Sequence, residues 1–451
     1  MPYVRPGVFA QYQKSVGDVL LTSGLRVPAI IGTGVSYYTA QDEGVIRGQT
    51  GYPYSATDLD VLAHVATEII GVGDFPGDIS YVENTDYVLS NGVIDWIGTD
   101  KPVTGEVFYI TYRYAKDSTA FVPKLFSNIN DVITEYGIQD ENNTVSLGAE
   151  IAFQNGAPFV ICVQVEADAD AHYLTAIDAL QVSVDGIDAK IIVPITTSAT
   201  VQSYLKTHVY YMSSKLIGKR RMGICGMPIG STQGDIIAKA TALGTPTTQD
   251  DGGRVVLCYD EMTRDIVQSD GSFVEHTLDS TFLACAVAGA MGLYTVQVPL
   301  TRKPLQGFKT AIKARAWLEK QKDIYGTYGV LILNDKGGVI SVRHQLTTDT
   351  SAYNYSEISI TQIRDNVTED VIGGCDTFIG EYETPTTNAS IYEKVNAILT
   401  AKMNEGILVN FGGISVTTSP TVASDRLVSY WIDVADPINR IYITYTIKQT
   451  A

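Results

Sequence analysis

The sequence predicts a multidomain protein of mixed α/β and α+β class. It has a layered α/β core, a small antiparallel β domain inserted in that core, an α+β C-terminal region, and a strand-like arm at each end. Three observations carry this. Between about residues 121 and 300, apolar runs alternate with helical stretches, the rhythm of a layered sheet. Between about 50 and 116 the texture shifts to Tyr, Gly and Asp, with hairpin patterning. Both ends carry β-type runs with no partner close by in the chain.

Residues 1–24 form the N-terminal arm. Pro2 and Pro6 hold it extended, and Tyr3, Val4, Val8 and Phe9 give it apolar contacts to offer. The core is assigned to 25–49 and 117–307. It opens with a strand at 25–32 that runs into a Gly-rich turn. The inserted β domain, 50–116, contains Asn91-Gly92 between apolar runs, the mark of a tight primed turn. Strands follow at 159–165, 190–194, 222–227 and 254–259, with helices at 201–217 and from 233. Asp279 is placed as N-cap of a helix over 280–291. Ala284, Ala286, Ala288, Gly289 and Ala290 make that helix slim enough for a close neighbour.

The C-terminal domain, 308–439, opens with an amphipathic helix at 309–324. A hairpin follows, with strands at 328–333 and 338–342 turned by residues 334–337. Helices at 361–372 and 390–404 come next, then strands at 413–417 and 427–434. The last strand, within the linking segment 440–451, carries Ile441, Tyr442, Ile443, Tyr445 and Ile447. A lone strand leaves its N–H and C=O groups unpaired unless another sheet accepts it. Two such ends point to strand exchange between identical subunits, by addition to an existing sheet.

Composition bounds the function. The 451 residues are 45% hydrophobic and 18% charged, a globular balance. A net charge of −18 opposes binding to phosphate backbones, so no direct nucleic-acid contact is expected. No apolar run reaches membrane-spanning length, so no direct membrane insertion is expected either, and no secretory leader opens the chain. Five dispersed cysteines read as reduced, buried thiols. Lys219-Arg220-Arg221 reads as the basic end of the preceding helix.

Chemistry-bearing motifs fail one by one. Gly32-Thr33-Gly34 follows a strand, but Tyr37 stands where a dinucleotide turn needs glycine. Gly218-Lys219 has Ser213 where a phosphate loop has glycine. Glu166, Asp168, Asp170 and His172 alternate like cation ligands but lack the rest of a calcium loop, and read as a solvated loop. His276 stands near Cys258 and Cys285 in sequence only. No catalytic, cofactor-binding or metal residue is assigned.

Residues 121–126, 129–132 and Tyr136-Gly137, then 147–157 ending in Asn155-Gly156, then 160–165, resemble the tail sheath proteins of contractile phage tails and related injection machines. Gln164 stands where those proteins often carry Arg. Arg5-Pro6-Gly7-Val8, the small-residue helix from Leu278 to Gly289, residues 300–307, 340–344 and 437–443 are similar in the same order. The likeness spans most of the chain except 50–116. It implies hexameric rings stacked helically around an inner tail tube, linked by the termini, and a long-to-short contraction. It also implies a virion-tail location after assembly in the host bacterial cytoplasm, with baseplate and tail terminator proteins as further partners and no cofactor. The insertion is expected on the outer surface. The C-terminal domain is expected to face the tube, with Arg364, Lys394 and Lys402 as candidate partners for tube acids. Three alternatives stand beside this: the sheath of a phage-like bacteriocin or injection system, a cytoplasmic α/β enzyme with an inserted β domain, and a static tube or adhesin subunit.

Overall fold

The computed structural model describes residues 26–437, apart from 35–36, 47–58, 63–65, 91–92, 116–119, 140–141, 216, 246–251, 268–272, 383, 385 and 423. The chain divides into two compact units. One is 34–120 and the other is the remainder.

Strand β1 (Val27–Thr33) lies inside the main sheet of the larger unit. The chain then enters the smaller unit. Its strands are β2 (Tyr37–Ile46), β3 (Leu59–Val61), β4 (Ala66–Gly73), β5 (Tyr87–Ser90), β6 (Val93–Trp96) and β7 (Val107–Ala115). They form two three-stranded antiparallel sheets, ordered β2-β7-β4 and β3-β6-β5. Trp96 anchors the core, edge-on to Tyr81, Tyr87 and Phe108 at 5.1, 5.8 and 5.2 Å. The unit starts sixteen residues before the expected boundary at 50. The cause is β2, which pairs along β7 some seventy residues later, a non-local match that local texture does not display.

The chain re-enters the larger unit through β8 (Lys124–Phe126), α1 (Ile129–Tyr136), α2 (Thr144–Gln154), β9 (Val160–Val165), α3 (Asp170–Ala179), β10 (Ala189–Pro194), α4 (Ala199–Ser213), β11 (Met222–Gly226), α5 (Gln233–Gly244) and β12 (Val255–Cys258). A hairpin of β13 (Met262–Val267) and β14 (Phe273–Leu278) precedes α6 (Ser280–Leu293). Then come β15 (Thr310–Ala311), α7 (Ile312–Ala316), α8 (Glu319–Thr327), β16 (Val330–Leu331), β17 (Leu333–Lys336) and β18 (Val339–Val342).

The main sheet has the order β16-β12-β11-β10-β1-β9-β8, parallel except for β8. Its parallel strands are almost wholly buried on both faces, as a helix-covered parallel sheet requires. Alternate residues serve the two layers. Val160 and Cys162 of β9 pack with α1, α2 and α6; Ile161 and Val163 pack with α3, α4 and α5. Asp279 caps α6, its carboxylate accepting from Thr281 N at 2.9 Å. The small residues of α6 do bring backbones together: a Cβ on Gly289 would stand 2.3 Å from the Ala152 carbonyl oxygen of α2.

Four local expectations are corrected. Residues 170–179 are a helix, so only 166–169 form the acidic loop. The helix expected at 309–324 is two short helices broken at Trp317–Leu318, because Trp317 turns inward to stack between Tyr259 and Tyr325. Residues 330–331 join the main sheet, so the hairpin is β17–β18 alone, turned by Gly337 and Gly338 at positive φ. Arg220 and Arg221 do not end α4, which stops at Ser213; both are buried at the entry to β11.

The C-terminal module begins with α9 (Tyr353–Ser356) and α10 (Ile358–Cys375), followed by α11 (Thr387–Asn404), β19 (Leu408–Thr418) and β20 (Arg426–Val434). Ile363, Val367 and Val371 of α10 meet Ile391, Val395 and Leu399 of α11 in a separate core.

Candidate functional site

The hairpin β19–β20 rests on that core. Phe411, Ile414, Val416, Val428, Tyr430 and Ile432 form its inner face, and Leu427, Ser429, Trp431 and Asp433 of β20 point outward. Among the described residues it is a two-stranded sheet, so both outer edges carry ladder groups without a strand partner. The strands are long, eleven and nine residues, and a bulge at Gly412–Gly413 seats the half-exposed Trp431 ring.

Helix α10 is tied to the core by charge. Lys190 at the start of β10 pairs with Glu369 at 2.5 Å, and the fully buried Arg254, just before β12, pairs with Asp365. Lys402 of α11 pairs with Asp370 at 2.5 Å. Burial holds the Glu369 carboxyl above its ordinary value, and Lys190 pulls it part of the way back. Arg26 donates to Gln362 Oε1 and to the Tyr294 carbonyl, and burial brings its guanidinium pKa down to about 10.

Sequence reasoning missed Arg26, Lys190 and Arg254, and it read Arg221 only as the basic end of the preceding helix. Arg26, Arg221 and Arg254 each stand directly before an apolar strand, which is the signal that could have found them. At that edge of a parallel sheet the preceding helices present carbonyl ends, which favour positive charge. Arg221 Nη1 donates to Leu180 O at the end of α3 at 2.9 Å, and Lys206 Nζ to Ala242 O in the last turn of α5 at 2.8 Å. So the basic run at 219–221 does complement a helix end, but that of α3 across space.

The sequence-derived candidates fall in different places. Tyr3, Val4, Val8, Phe9, Ile441, Tyr442, Ile443, Tyr445 and Ile447 lie outside the described residues. Arg364 turns back to Gly252 O at 2.7 Å and covers the Tyr355 ring. Lys402 is buried in its ion pair, whereas Lys394 is exposed on α11.

Other chemistry is accounted for structurally. Gly32 packs against Thr144, whose Oγ1 accepts from Thr33 N at 2.9 Å, and the chain continues into a strand where a dinucleotide fold has a helix. Cys258 and Cys285 are fully buried, and burial pushes their thiols well up, opposite to an activated nucleophile. Among the described residues, no cluster of three or more His, Cys, Asp or Glu is arranged for a metal ion, and no helix is long and apolar enough to cross a membrane.

No family profile matches the chain. It is 23% identical, over 460 aligned positions, to the tail sheath protein of Mycobacterium phage Bxz1, covering 92% of this chain and 74% of that protein. A chain of the anti-feeding prophage baseplate superposes with a TM-score of 0.56 at 13% identity, over 74% of this chain and 90% of that one. A chain of the contracted PVC sheath complex, an extracellular contractile injection system, gives 0.54 at 12% identity, over 73% and 89%. The chain therefore resembles contractile tail sheath proteins, in sequence along nearly its whole length and in fold. The proteins it resembles are structural components of phage tails and injection systems.

Proposed function

We propose that this chain is the structural subunit of a contractile tail sheath. Copies polymerise as hexameric rings around an inner tube, join through their terminal arms, and contract to drive the tube through a cell envelope. The observation that carries the reading is the β19–β20 hairpin: a long two-stranded sheet on a packed helical base, with edges a neighbour's strand can extend. Residues 1–16 and 440–451 are the strands offered. A contractile polymer needs two packings of one rigid subunit, and intact strand linkages let the packing change without dissociation.

In this reading the unit 34–120 lies outermost, since an insertion is tolerated where it does not interrupt assembly. The C-terminal module faces the tube. Arg364 and Lys402 are held by partners within the chain, which leaves Lys394 as the tube contact of the three. The test is negative-stain imaging of purified full-length protein beside a variant lacking residues 1–16. Tubes or stacked rings are expected from the first, and folded, soluble subunits without long tubes from the second. Normal tubes from the truncated protein would refute the linkage.

A further inference from the structure

The 34–120 unit carries half of the chain's net negative charge in 87 of its 451 residues: thirteen Asp and Glu against four Lys and Arg, a net −9 out of −18. The same unit bears large, well-exposed apolar side chains on two of its turns. Phe75 is 71% exposed, Ile79 69% and Val103 66%, with Val82 and Ile97 more than half exposed. Isolated exposed apolar residues are ordinary; a set on neighbouring turns of one small unit is not.

The two turns lie at one end of the unit, because Gly73 at the end of β4 pairs with Tyr109 near the start of β7. Tyr81 reaches back to Asp74 Oδ1 at 2.7 Å. Its phenol is raised well above the usual value by burial first and the Asp74 bond next, and Asp100 and Glu106 of the second turn act on it as well. Both turns are held in shape. Asp78 N donates to Phe75 O at 3.0 Å, and Ser80 N and Tyr81 N both donate to Val72 O at 3.1 Å. Gly73 lies so close to the Asp78 carbonyl that a Cβ would stand 2.5 Å from its oxygen. In the second turn Glu106 N donates to Val103 O at 2.9 Å, and Val103 N to Glu106 Oε2 at 3.2 Å; Ile97 N is held by Asp86 O at 2.9 Å. Below them lies the Trp96 aromatic cluster.

We propose that this end is a preorganised docking surface for a cationic protein partner with an apolar pocket. Phe75, Ile79 and Val103 are the anchors, and Asp74, Asp78, Asp100 and Glu106 form the rim. Fixed apolar anchors inside a charged rim are what protein interfaces use, and a preformed surface avoids ordering on binding. The charge selects the occupant. A second copy of the same surface is repelled, whereas a Lys- or Arg-rich face is drawn in. The inference stands on the unit alone and does not depend on the sheath reading.

The test uses the full-length protein and two synthetic peptides of equal length and charge, one alternating Lys and Leu, the other Lys and Ser. The Lys–Leu peptide should bind more tightly and slow hydrogen exchange in residues 74–82 and 97–106. Phe75→Ser and Val103→Ser, with unchanged circular dichroism, should each weaken it about tenfold while leaving the salt dependence in place. Asp78→Asn with Glu106→Gln should flatten the salt dependence. Equal binding of both peptides would show bulk charge alone and overturn the proposal, as would protection elsewhere in the chain or full binding by Phe75→Ser.

Discussion

Lys190 and Glu369 hold α10 against the sheet through one short contact, and their energetics follow from burial. Removing one partner leaves the other charge poorly solvated. Lys190→Met should therefore destabilise the protein by about 1–3 kcal/mol, below the range for fully buried pairs because both side chains keep some water. The double variant Lys190→Met/Glu369→Leu should recover most of the loss. Urea midpoints for the four proteins test this, and simple additivity would contradict it. The pH dependence has a definite sign. Glu369 is raised in the folded state, so that state holds its proton more tightly than the unfolded chain does. Its contribution to stability therefore falls as pH rises from about 4, the ordinary carboxyl value, through the raised value. The stability of the wild type relative to Glu369→Gln should decline over that window. A difference that grows with pH would contradict the burial argument. Gly289 makes a simpler case: Gly289→Ala pushes a methyl into the α2 backbone and should cost about 1–3 kcal/mol by the same assay.

At the scale of elements, the ends of the 34–120 insertion meet. Gly32 and Thr33 pair with Gln164 and Val165 of β9, while Phe121 N donates to Gln164 O at 2.9 Å. A short Gly-Ser link from Thr33 to Phe121 should thus remove the insertion and leave the larger unit folded, with a cooperative melt near that of the full chain. Loss of the cooperative melt would show that the core depends on the insertion. The same comparison shows what the sequence made legible. Val160–Val165 and Val255–Cys258 read as buried strands because nearly every residue in them is apolar. The residues around Asn91-Gly92 read as a hairpin because that turn chemistry is local. The features that did not read are non-local. β2 finds β7 across the whole insertion, Trp317 breaks a helical pattern to reach Tyr259 and Tyr325, and β13 and β14 show their pairing only once folded. The helix at Asp170–Ala179 was hidden by acids that suit its N-terminal turn as well as they suit a loop. Of the candidate site, β20 was legible almost whole and β19 only over 413–417. The charged clamp of Lys190, Arg254, Asp365 and Glu369 was not, because its members come from three separate segments.

At the scale of the whole molecule, the larger unit combines a layered core, an ion-paired α10 and a hairpin on a helical base whose outer edges have no strand partner among the described residues. Such a unit suits a polymer whose subunits move as units while strands keep them joined. If the sheath proposal holds, Lys394→Glu should weaken co-assembly with an acidic tube surface while leaving self-association intact; unchanged co-assembly across a salt series would remove that residue from the proposed interface. The most direct measurement of the central claim is a cryo-electron microscopy reconstruction of tubes formed by the purified full-length protein. The sheath account predicts strand density from another copy along an edge of β19–β20, traceable to residues 1–16 or 440–451. Bare hairpin edges, with both terminal segments paired inside their own copy, would contradict it.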